Sequence, residues 1–175
     1  MPSLQNFPAE VSQFGASSWV GAARAIVNWY YMQGLPGVPC LSTDQDLGTA
    51  WMMVSQNMIN SDIYVQQSAV QALEALGFSA LVAELPVPST ADIGAALGNG
   101  DPLLVLIGAI GPSPEAAPDI NQGQWVVIVG IADGGSSTLQ VFDPRDGAIH
   151  EASYNSATYQ PDEYWQQTSF IYARR

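Results

Sequence analysis

The period of the hydrophobic pattern changes midway along the chain, and that change limits the fold more than any other feature. Up to about residue 100, apolar residues recur every three to four positions, the spacing of one helix face. Trp19, Ala22, Ala23, Ile26 and Tyr30 predict a first helix, with Ser17 and Ser18 placed to cap it and Gly34 and Pro36 to end it. Leu47, Trp51, Val54 and Met58 predict a second helix over 44–60, with Asp44 as its cap. Val65, Ala69, Leu73 and Leu76 predict a third, stopped by Gly77. Ser89 with Asp92 three residues on forms a capping box for a short helix through Leu97, closed by Gly98 and Gly100. Phe78 to Leu85, between Gly77 and Pro86, reads as a short edge strand.

Beyond residue 100 the pattern is that of sheet. Leu103 to Ile110 is continuously apolar, Trp125 to Ile131 is rich in valine and isoleucine, and Thr138 to Phe142 alternates before Asp143-Pro144. Gly134-Gly135 predicts a hairpin between the last two, and 148–154 and 169–173 supply further extended segments. The Pro-rich stretch 111–118 is too short for a domain linker. Helices first and antiparallel strands afterwards define an α+β fold, one domain over 1–175. Its helical part, about 1–100, packs on a sheet part, about 101–175, with a cleft expected where the two meet.

Charge narrows the partners. Sixteen acids face four arginines and no lysine, giving a net charge of −12, so the clustered cations that bind a phosphate backbone are missing and nucleic acid is not expected. The charge either favours a basic peptide or protein surface or serves only to keep the chain soluble. Cys40 and His150 are each the single residue of their type, which leaves no internal disulfide and no thiolate or imidazole cluster for a metal. No metal and no cofactor are expected. Residues 1–10 lack a basic segment followed by an apolar run, and the longest apolar stretch is too short to span a bilayer, so neither a classical secretory signal nor membrane insertion is expected.

Three separated segments carry the functional argument. The first, Gln13-Phe-Gly-Ala-Ser-Ser18-Trp19, resembles the papain-like cysteine peptidase motif in which a glutamine precedes a Cys-Trp pair at the start of the central helix; Ser18 stands at the cysteine position. Gly123-Gln124-Trp125-Val-Val-Ile-Val-Gly130 resembles that family's Gly-His-x-Val-Val strand, with Gln124 at the histidine position. Phe142-Asp143-Pro144 resembles the turn whose aspartate or asparagine orients the histidine. The order and spacing are similar to those of small bacterial members, double-glycine leader peptidases and cysteine-protease effectors. The resemblance implies a papain-like fold, an oxyanion-hole position at Gln13 and a cleft flanked by Trp19 and Trp125.

The two substitutions decide the chemistry that the resemblance leaves. A helix terminus contributes only about 0.3–1 kcal/mol toward an anion in an exposed setting, too little to ionise a serine hydroxyl, so Ser18 needs a general base. A carboxamide accepts no proton near neutral pH, so Gln124 is not that base. An Asp143 to Gln124 to Ser18 hydrogen-bond chain would keep the triad's geometry without its function. His150 would replace the base only if the turn folded it back toward Ser18.

Each residue also has an ordinary structural role: Ser18 as a helix cap, Gln13 as a partner for backbone groups beside it, Asp143 as a turn residue, the tryptophans as packing, and Cys40 as an inert thiol. The expectation is therefore an inactive pseudopeptidase that binds a peptide or protein, with basic partners favoured by the charge, in the vestigial cleft. The alternatives are a cysteine peptidase whose nucleophile has been changed to serine, and an immunity or adaptor protein that uses another surface.

Overall fold

The computed structural model describes residues 2–12, 18–55, 69–83, 87–108, 123–132, 138–154, 158–160 and 163–173. The chain runs α1 (Ser18–Met32), α2 (Asp44–Ser55), α3 (Ala69–Ala75), β1 (Phe78–Val82), α4 (Thr90–Gly98), β2 (Leu103–Gly108), β3 (Gln124–Ile131), β4 (Thr138–Asp143), β5 (Ala148–Ser153), β6 (Thr158–Gln160) and β7 (Glu163–Ala173). This is an α+β architecture with one antiparallel sheet in the order β1-β7-β2-β3-β4-β5, β6 pairing with β7.

α1 is the central helix. Its residues from Trp19 to Val27, apart from Gly21 and Arg24, form an almost unbroken buried apolar surface. It ends at Gly34, whose positive φ of 74° lets the Leu35 N–H turn back to the Tyr30 carbonyl at 3.2 Å. The cap of α2 differs from the sequence expectation. Thr43 accepts from the Asp46 N–H at 3.1 Å while its own N–H donates to the Asp46 carboxylate at 2.8 Å, a reciprocal box one residue earlier than Asp44. Asp44 is instead fully buried: it accepts from Ser12 Oγ at 2.8 Å and pairs with Arg24 Nε at 3.2 Å. A carboxylate facing a buried guanidinium is held by that partner and is not free to cap.

The capping box at Ser89 and Asp92 forms as expected, with the Asp92 N–H donating to Ser89 Oγ at 3.1 Å. Residues 56–68, the Pro-rich stretch and the Gly134-Gly135 turn lie outside the described residues, although β3 and β4 pair as a hairpin requires.

Two features depart from the division into helical and sheet halves. β1, from the first half, forms one edge of the sheet, and β7 begins six residues earlier than the expected strand at 169 and lies inside the sheet between β1 and β2. Helices also cover both faces. The Tyr30 ring of α1 meets Phe78 at 5.2 Å, whereas Leu81, on the opposite face by alternation, lines a groove with Asp92 and Ala95 of α4. Burial on both faces explains why Leu103–Ile107 and Trp125–Val129 read as unbroken apolar runs.

Candidate functional site

The second and third motif segments meet at one end of the sheet; of the first, only Ser18 and Trp19, at the start of α1, are among the described residues. β3 begins there with Gln124, β4 ends there with Asp143, and the first turn of α1 packs on the corner that follows. The contact is close: a Cβ on Gly21 would lie 2.7 Å from Pro144 Cβ and 2.8 Å from Ser12 Cβ. Ser12 fastens the same corner, its N–H donating to the Pro144 carbonyl at 2.6 Å. Ser18 is the first residue of α1, and Gln13 lies outside the described residues.

Sheet register sets the directions of the side chains. Leu81, Phe170, Leu103, Ile128, Val141 and His150 are opposite one another across successive strands. Alternation from this row puts Gln124 and Asp143 on the same face, the one that α4 shares. α1 covers the other face, where Phe142 packs tilted against Phe7 at 5.6 Å and Phe7 meets Trp29 at 6.0 Å.

Asp143 is engaged elsewhere. It is 2% exposed, and Arg145 donates to it from Nε at 3.0 Å to each oxygen, from Nη2 at 2.6 Å and from the backbone N–H at 2.9 Å. Tyr159 Oη donates at 3.3 Å. The other side of the guanidinium holds Glu163, through Nη1 and, at 3.0 Å, through Nη2. Bonds to Asp143 first and Glu163 second hold the Arg145 proton far more tightly than in a free guanidinium. Asp143 thus ties the β4 corner to β6 and β7.

Gln124 is half-buried, and its Oε1 is buried with no hydrogen-bond partner. Trp165 pairs with Ile107, which pairs in turn with Gln124, so all three project from one face. The Trp165 ring is 1% exposed, lies 5.5 Å from Tyr159, and also has a buried, unpartnered Nε1. An acceptor and a donor on this face are therefore both unsatisfied, an arrangement that native interiors keep rare. Trp19, 4% exposed on α1, leaves its Nε1 unpartnered as well, and Trp125 is buried in β3. The Asp143 to Gln124 bond of the expected chain is not present; the carboxylate is taken by Arg145 and Tyr159.

His150 is bound to Asp146 on β5's own corner, Nε2 to Oδ2 at 2.7 Å. Burial raises the Asp146 pKa, but the Ala148 N–H and the His150 ring outweigh it and leave the carboxyl below its ordinary value. A lowered folded-state value stabilises above the unfolded one and is lost as pH falls through the folded one, so this pair weakens below about pH 4. Melting wild type and Asp146→Asn across acidic pH should show a shallower loss in the variant, a small effect because both side chains are substantially exposed. Cys40 is exposed and free. Among the described residues no group of three or more His, Cys, Asp or Glu side chains is placed to hold a metal, and no helix is long and apolar enough to cross a membrane.

Arg145, Tyr159, Glu163 and Trp165 complete this site and were not singled out from sequence. Arg145, two residues after Asp143, was the available signal: a short acid–Arg spacing at a turn permits a bidentate pair. No protein-family model and no curated protein matches the chain.

Proposed function

We propose that this chain is a papain-like pseudopeptidase that binds an extended peptide at the sheet end built by Gln124, Asp143 and Trp165 and does not cleave it. The observation that carries the reading is the pairing of Asp143 with Arg145 beside an unpartnered Gln124 Oε1. The carboxylate that would orient a base serves as a counter-ion, and the residue in the base's place transfers no proton. Gln124 as a residue is only half-buried, so its side chain, and not the buried Trp165 Nε1, is what a peptide group would bond at this corner. The net charge of −12 selects basic sequences.

Fluorescent short-peptide libraries, with and without arginine and lysine, provide the test. The expected result is no hydrolysis and salt-sensitive binding to the basic set, weakened roughly tenfold by Gln124→Leu as one charge-free hydrogen bond is lost. Turnover that disappears in Ser18→Ala would overturn it, as would binding indifferent to Gln124→Leu. An adaptor reading has one observation in its favour: Leu81 and Val82 are 60% and 47% exposed on an edge strand away from this corner.

A further inference from the structure

We infer that the outer edge of β1, with the groove between β1 and α4, receives an extended basic peptide as an added strand. This deepens the adaptor reading and does not depend on the sheet-end site, from which β1 is separated by β7 and β2.

The Ala83 N–H donates to Thr168 O at 2.8 Å, and the Ile171 N–H turns away from β1 to Pro102 O at 3.2 Å. In an antiparallel pair, bonded and non-bonded positions alternate, so Leu81 and Ser79 bond inward to β7. Ala80, opposite Ile171, and Val82 therefore direct their N–H and C=O groups outward, and no described residue pairs with them. Natural edge strands are usually blunted by a charge, a proline or a bulge. Phe78-Ser79-Ala80-Leu81-Val82 has no charge and no proline, and its register with β7 runs without a shift.

The groove supplies the side-chain half of recognition. It encloses about 600 Å³ and is lined on the sheet side by Leu81, Phe170 and Tyr172 and on the helix side by Ala95, Ala96 and Asp92. Phe170 and Tyr172 stack with centroids 6.4 Å apart, giving a flat aromatic floor. An added strand turns every second side chain beside Leu81, toward the face on which the groove opens, while its backbone bonds Ala80 and Val82.

Charge fixes the class of occupant. Asp92 stands in the lining, and Asp101 lies close enough to Tyr172 to act with burial in raising the hydroxyl's pKa. Of the described arginines, Arg24 is buried under α1 and Arg145 is held by Asp143 and Glu163, so neither neutralises the groove. The fitting ligand is an extended segment that alternates an apolar residue with arginine or lysine.

The probe is an alternating Val-Arg peptide, compared with a Val-Glu peptide of the same length. Binding is followed by fluorescence anisotropy and by amide hydrogen exchange. The expected result is saturable binding of the Val-Arg peptide alone, with slowed exchange at Ala80 and Val82. Val82→Pro removes one outward N–H and leaves the inward bonds of Leu81 and Ala83, so it should fold normally and bind at least about tenfold more weakly. Because the same basic peptide can also occupy the sheet-end site, the separating readout is local: slowed exchange at Ala80 and Val82 should persist in Gln124→Leu even where total affinity falls. Equal binding of the Val-Glu peptide, unaltered affinity in Val82→Pro, no protection at Ala80 and Val82, or protection that arises only from pairing of two copies of the chain would overturn the inference.

Discussion

Arg24→Met is expected to destabilise the protein by about 3–5 kcal/mol, the range for removing one partner of a buried ion pair. Arg24 and Asp44 are 3% and 0% exposed, so the variant leaves a buried carboxylate, bonded by Ser12 Oγ, without its guanidinium counter-charge. The guanidinium also donates to the carbonyls of Val11 and Ser42, each at 3.4 Å, and pairs with exposed Glu10 at 3.3 Å. Its loss therefore loosens the segment before α1 and the start of α2 together. Adding Asp44→Asn should recover most of the loss, because the neutral amide keeps an acceptor for Ser12 and carries no uncompensated charge. Thermal melts should fall by roughly 10 °C in the single variant and by much less in the double one. Equal melting of the two would mean that lost packing, not stranded charge, dominates.

Gly21→Val is expected to cost about 3 kcal/mol and to weaken peptide binding at the sheet end. The added Cβ would overlap the Cβ atoms of Pro144 and Ser12, at 2.7 Å and 2.8 Å. The proline ring cannot rotate away, and Ser12 is tied to the Pro144 carbonyl. Overpacking of this kind typically costs about 1–3 kcal/mol, and the γ-methyls place Val at the upper end. Gly21→Ala should be much milder, since alanine gains about 1 kcal/mol of helix propensity that offsets part of the overlap. Denaturant midpoints for the two variants check this order. A valine variant as stable as wild type would mean that α1 is not seated on the Asp143–Pro144 corner.

Local pattern was enough for most of the elements and for the α+β class. The stripe from Trp19 to Tyr30, the box at Ser89 and Asp92, and the apolar runs of β2 and β3 each satisfy a rule that spans only a few residues. β7 exceeded its local signal. Tyr164, Gln166 and Gln167 interrupt the apolar pattern in its first half, and pairing with β2 and, at the start, β6 makes them strand. Asp44 gave the right helix and the wrong cap, because its burial against Arg24 depends on a residue twenty positions earlier.

What the sequence determined by itself was the absence of a proton acceptor at position 124, since no arrangement makes a carboxamide a base near neutral pH. It also determined the charge of −12. Only tertiary structure decided that Asp143 bonds Arg145 and Tyr159 and that Gln124 and Trp165 share a face with unsatisfied polar atoms. Only the fold, too, made β1 an edge of the sheet among the described residues. Those outcomes depend on strand order, register and face, which arise from burial summed over the whole sheet and leave no mark at any one residue.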